Sequence, residues 1–121
     1  MAMVYRKEGS MNVKGYKRLS KLLVGLVLTA SLGKIQYSDH LETWYNLPMD
    51  RVVKNAQNMG INAEYWVREE DKCKMFGPWV IVAAHPSVTR YTFVETSHGT
   101  GIVLDRHEVD DPNLYDLAVD W

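Results

Sequence analysis

Cysteine is nearly missing from this chain: among 121 residues there is only Cys73. No intramolecular disulfide can form, so the fold must hold by packing alone. A lone thiol beside the charged stretch Arg68-Glu69-Glu70-Asp71-Lys72 reads as incidental rather than nucleophilic. A charge excess is missing too. With 14 Lys and Arg against 15 Asp and Glu, the net charge is −1. That leaves no basic footprint for phosphate contacts, and nucleic acid is excluded as an expected partner. The 68–72 stretch mixes signs and reads as a solvated turn between strands. The most apolar run, Leu22-Leu23-Val24-Gly25-Leu26-Val27-Leu28, falls well short of the roughly 20 residues a spanning helix needs. No stable membrane span is expected in a mature protein. His-x-x-x-His and Cys–His spacings are missing, so neither metal nor other cofactor is expected. Repeats and low-complexity tracts are missing as well.

What is present is a hydrophobic content of 46%, ordinary for a globular protein, in a length that suits one domain. The front of the chain reads differently from the rest. Lys14, Lys17, Arg18 and Lys21 precede the apolar run, which fades through Thr29-Ala30-Ser31-Leu32-Gly33. Basic, apolar, then small residues is the order of a secretory signal, and residues 1–33 are expected to be one. Met11 is the more natural start for it. The same run would also suit a buried helix, although it is apolar on all faces rather than striped. A secreted or cell-envelope location follows from the signal reading.

Residues 34–41 show little periodicity and read as a linker, with the folded domain at 42–121. Glu42-Thr43-Trp44-Tyr45 is a short strand by its β-branched and aromatic content. Asn46-Leu47-Pro48 ends it and opens a helix over 49–59. There Met49, Val52, Val53, Ala56 and Met59 mark one apolar face, and Gly60 is the stop. The remainder reads as β: a hairpin from 63–67 and 74–76, a buried strand at 79–84, and further strands at 91–96, 102–104 and 115–119. Ser97-His98-Gly99-Thr100-Gly101 and Asp110-Asp111-Pro112-Asn113 are turns. The class is therefore mainly β with one helix, a composition that suits a small closed barrel.

Two apolar strands each lead to an aspartate, Ile102-Val103-Leu104-Asp105 and Tyr115-Asp116-Leu117-Ala118-Val119. A third strand ends in Ala83-Ala84-His85-Pro86-Ser87. This set resembles the double-psi β-barrel domains of cell-wall-processing proteins, the three-aspartate and rare-lipoprotein-A-like families, over residues 43–121. His85 stands where the three-aspartate pattern has its first aspartate, and Ala-Ala-His is found there in the lipoprotein-A-like branch. Asp105-Arg106-His107 lacks the glycines usual after the second aspartate. Tyr115-Asp116-Leu117 fits the third block. The resemblance implies a six-stranded double-psi β-barrel acting on peptidoglycan or another polysaccharide, in the manner of a lytic transglycosylase. Asp116 would then be general acid and base, with Asp105 as its partner.

The chemistry is coherent in its own terms. Cleaving a glycosidic bond needs a proton at the leaving oxygen, and a carboxyl whose pKa is raised by a neighbouring carboxylate can supply it. The same two aspartates would serve equally as hydrogen-bond acceptors at strand ends. His85 could donate to a sugar hydroxyl or cap its own turn, while His98 and His107 read as solvent residues. Trp44 and Tyr45 are candidates to stack on a sugar face, although in a small barrel most such rings pack inward. Ser97 lacks the preceding glycine of a nucleophile elbow. The rival class is a non-catalytic glycan- or protein-binding module at a cell or phage surface. The oligomeric state is left open.

Overall fold

The structure, a computed structural model, describes residues 33–121. Apart from Gly33, the expected export signal lies outside the described residues. These form β1 (Ile35–Tyr37), β2 (His40–Tyr45), α1 (Asp50–Asn58), β3 (Tyr65–Val67), β4 (Lys74–Phe76), β5 (Trp79–Ala84), β6 (Phe93–Thr96), β7 (Gly99–Arg106) and β8 (Leu114–Ala118). Among the described residues the mainly-β class with one helix is as expected from the sequence. No helix among the described residues is long and apolar enough to cross a membrane.

The strands form one mixed sheet built around β5. This strand runs parallel to β7 on one side. On the other it pairs antiparallel with β4 through Trp79 and Val80, and with β8 through its last three residues. Next to β8 lies β2, parallel to it, and then β1, antiparallel to β2. Beyond β7 lies β6, and beyond β4 lies β3. Since β1, β3 and β6 each pair on one side only among the described residues, the sheet they form is open and has eight strands, where a closed six-stranded barrel was expected. The apolar run Val80–Ala84 is buried on both faces because both faces are covered. One face carries α1, whose Val52, Val53 and Ala56 pack with Ile81, Ile102, Leu104 and Ala118. The other holds Cys73, Met75, Val80, Val82, Val103 and Leu117.

Two glycines are needed by this geometry. Gly60 follows α1 with φ of 101°, the left-handed conformation that ends a helix at low steric cost. Gly101 lets β7 approach β5, because a Cβ there would lie 2.6 Å from Val82 Cγ2.

The 34–41 stretch is not a linker. It forms β1 and the start of β2, paired antiparallel. Its inward positions in β2 are His40 and Glu42, both buried and both polar, so hydropathy hid the alternation. Glu42 explains why they are inside. Its carboxylate accepts hydrogen bonds from His40 Nε2 at 2.8 Å, from Ser97 N at 3.0 Å and from Ser97 Oγ at 2.6 Å. The β6–β7 turn is thereby tied to β2 by side chains where no strand pairing joins them. Burial alone would lower the His40 pKa, but the hydrogen bond and charge of Glu42, with a contribution from Asp39, raise it.

Candidate functional site

Asp105 and Asp116 meet through β5. In the ladders Ala83 is the partner of Asp105 on β7 and also of Asp116 on β8. Both carboxylates therefore flank one small residue in the middle strand. At about 4.8 Å per strand step, their Cα atoms stand roughly 10 Å apart, with only a methyl group between.

That they share a face depends on an irregularity. Val82 pairs with Val103, but the next residue, Ala83, pairs with Asp105, so β7 carries one extra residue at Leu104. Val103 lies on the face away from α1 and Leu104 on the α1 face. Strict alternation would return Asp105 to the far face, away from Asp116. The bulge turns it instead to the side of Ala83, which by alternation with Ile81 is the α1 face. Asp116 is on that face because its neighbour Leu117 packs on the other and Ala118 packs with α1.

Neighbours from β2 complete the row. Thr43 pairs with Asp116 and its Oγ1 donates to Asp116 Oδ1 at 2.8 Å. Tyr45, two residues on and so on the same face, donates its hydroxyl to Asp105 Oδ2 at 3.2 Å. Burial pushes the Asp116 carboxyl up to about 6, with Asp105 adding to the rise against the Thr43 hydrogen bond and the charge of His107. Burial, and then the charges of Asp105 and Asp116, raise the Tyr45 phenol well above its usual range. Tyr45 is thus a neutral donor. The arrangement can hold a protonated Asp116 near pH 6 on the same face as a second carboxyl, each steadied by a hydroxyl.

The other expected site residues divide. Trp44 points to the opposite face, as alternation requires between Thr43 and Tyr45. It packs with the cluster around Cys73 and Val82, with its ring edge-on to His98 at 6.5 Å between centroids, so it is not beside the aspartates. His85 caps its own turn: Ser87 N donates to Nδ1 at 3.1 Å, which places the imidazole proton on Nε2, 3.4 Å from Asp110 Oδ1. His107 is not a solvent residue but is buried behind β7. Thr43 and Ala83 were not singled out from sequence. The alternation within Thr43-Trp44-Tyr45 could have found Thr43, whereas nothing local marks Ala83.

His98 is half-buried with its side chain turned inward, because it belongs to a second polar cluster. Asp71 Oδ1 accepts from Arg68 Nε at 3.1 Å and from Cys73 N at 3.1 Å. Its Oδ2 accepts from Arg68 Nη2 at 2.7 Å and from His98 Nδ1 at 3.0 Å. The 68–72 stretch is therefore not a merely solvated turn. Asp71, Cys73 and His98 approach one another closely enough to suggest a metal site. All four carboxylate lone pairs are nevertheless taken by these donors, and the Arg68 cation sits where a metal ion would be repelled. The cluster is a structural hub. Burial pulls the His98 pKa down to about 4 against the Asp71 charge. Burial also pushes the Cys73 thiol well up, which removes it as a nucleophile.

Comparison with known proteins supplies no relative: no family model, no curated protein and no solved structure matches the chain.

Proposed function

We propose that residues 35–121 form a double-psi-like β domain that acts on cell-wall glycan, with Asp116 as general acid and base and Asp105 as its partner. The observation that carries this reading is the shared face of the two carboxylates across Ala83, with Asp116 held up to about 6. The two parallel pairings, β2 with β8 and β5 with β7, support the double-psi comparison. In the reaction the protonated Asp116 gives its proton to the glycosidic oxygen as the C–O bond breaks. Its carboxylate then takes the proton of the sugar hydroxyl that closes on the anomeric carbon, as in lytic transglycosylases. Export to the cell envelope would bring the domain to peptidoglycan.

The test is release of soluble fragments from purified peptidoglycan between pH 4 and 8, a range that brackets tuned carboxyls. Asp116→Asn should reduce the release by about 10²–10⁴-fold, the usual contribution of acid–base catalysis. No release by the parent at any pH in that range sinks the enzymatic reading. The second reading, a glycan- or protein-binding module, draws on the hydroxyls of Thr43 and Tyr45, since a structural aspartate is held in the same way. It expects binding to cell walls without release.

A further inference from the structure

Lys74 on β4 is 6% exposed, although lysine is seldom buried without an ionic partner. Its neighbours Cys73 and Met75 pack on the side away from α1, so alternation turns Lys74 toward α1. There Nζ donates to Asn46 Oδ1 at 2.5 Å and to Leu47 O at 2.7 Å. Both acceptors are uncharged, so neither balances the cation. Burial pulls the amine below its ordinary value against the charge of Asp120. A neutral Nζ, with its lone pair free, is therefore reached more readily here than on an exposed lysine.

Asn46, just after β2, is held from both ends of its amide. A cation faces an amide oxygen and a carbonyl faces an amide nitrogen, so Lys74 takes Oδ1 and Trp121 O takes Nδ2, at 3.0 Å. The carbonyl of Asn46 thus meets the buried amine, while its nitrogen points to the exposed tail. A C=O bond of about 1.2 Å leaves Nζ no more than about 3.7 Å from Cγ. That is close to the roughly 3–3.5 Å of a near-attack arrangement. A carboxylate stands on the same side. Val119 bridges Cys73 and Asp120 N donates to Lys72 O at 2.8 Å, so the tail runs antiparallel beside residues 72–74. Val119 packs away from α1, and alternation then sends Asp120 to the side of Lys74.

We propose that Lys74 and Asn46 join in an intramolecular isopeptide bond, a covalent tie between β4 and the segment after β2 in a chain whose lone cysteine can make no internal disulfide. The Nζ lone pair attacks Cγ of Asn46, the Nζ–Cγ bond forms and the Cγ–Nδ2 bond breaks. The lysine ammonium gives up two protons and the departing amide nitrogen takes up two. Ammonium is released, and atoms and charge balance with no co-reactant. Asp120 carries the protons, taking them as a carboxylate and returning them as an acid. The product is an uncharged amide in place of a buried cation, which favours the bonded form. This self-modification stands apart from the glycan reading and does not depend on it.

The experiment holds the full chain folded at mildly alkaline pH, then digests it with a protease that does not cut at lysine and maps the peptides by tandem mass spectrometry. The expected result is a branched peptide joining the Asn46 and Lys74 segments, lighter by one ammonia than the two together. Lys74→Arg and Asn46→Ala should give linear peptides alone and melt at a lower temperature than the bonded parent. Asp120→Asn should slow the appearance of the branched peptide by about tenfold or more. Linear peptides alone from the parent overturn the proposal. So does a loss of ammonia that persists in Lys74→Arg, which would mark an asparagine cyclising on its own backbone. An unchanged rate in Asp120→Asn overturns the role of Asp120 and leaves the bond. The digest of the parent needs no variant, so a variant that fails to fold leaves the test intact.

Discussion

Asp105 and Asp116 face each other across Ala83 because β7 gains one residue at Leu104, and that single slip decides which face Asp105 takes. Without it the two carboxyls would lie on opposite sides of the sheet, where neither could act on the charge of the other. The small side chain at the centre matters as much as the slip. Ala83 is 2% exposed, so the space between the carboxyls is bounded by protein and set by the volume of that one residue.

Ala83→Leu is therefore expected to damage the site more than the fold. Extra carbons in a packed position cost about 1–3 kcal/mol, which a chemical melt can read. The same carbons wedge between Asp105 and Asp116 and separate them. Fragment release from peptidoglycan should fall at least tenfold, and the raising influence of Asp105 on Asp116 should weaken. A variant that loses stability but keeps full release would place the reaction elsewhere.

Asp116→Asn is expected to stabilise the protein at neutral pH. The folded carboxyl titrates at about 6, above its unfolded value of about 3.9. The folded state thus binds more protons between these values, and stability falls as pH rises through the window. Asn avoids the cost of ionising there and can still accept from Thr43. The gain at pH 7 should be about 1–2 kcal/mol, less than the full 1.36 kcal/mol per unit because the carboxyl is not wholly buried. It should vanish near pH 4. His98 has the opposite sign: folded at about 4 against an ordinary 6.5, it favours stability as pH rises from 4 to 6.5. Removing Asp116 should expose that rise, giving the variant a steeper climb than the parent in paired melts across this range.

Much of this architecture could be read from the sequence, and what could not has physical causes. The 3.6-residue spacing of Val52, Val53 and Ala56 gave away α1, and the apolar run Val80–Ala84 gave away the central strand. Both signals are local. The β1–β2 hairpin stayed hidden because its inward residues His40 and Glu42 are polar, and their partner Ser97 lies 55 residues from Glu42. The candidate pair Asp105 and Asp116 was visible as two strand-end carboxyls. Their common face was not, since a bulge is decided by pairing with β5 and leaves no periodic mark. His98 and His107 misread for the same reason. Each is turned inward by a partner distant in sequence or on another strand, Asp71 in one case and the Leu114 carbonyl in the other.

Asp71 offers a prediction that does not depend on any activity. Its carboxylate holds Arg68 and His98 in place, and with them the β6–β7 turn, whose His98 carbonyl also accepts from Arg68 Nη2 at 2.8 Å. Asp71→Ala leaves the Arg68 cation and the His98 N–H without their acceptor inside the protein. Breaking a buried pair costs about 3–5 kcal/mol, and the lower end applies here because Arg68 keeps some access to water. Asp71→Asn, which still offers one oxygen, should lose less. The pH dependence supplies an internal check. Although burial opposes it, the His98 and Arg68 interactions hold the folded Asp71 carboxyl well below the usual range. Its contribution is then complete above about pH 4 and is lost as the pH falls below the unfolded value. The gap in melting temperature between parent and Asp71→Ala should accordingly be constant from pH 5 upward and shrink below pH 4. A gap that stays fixed into strong acid would mean that Asp71 acts through packing, with its charge contributing nothing.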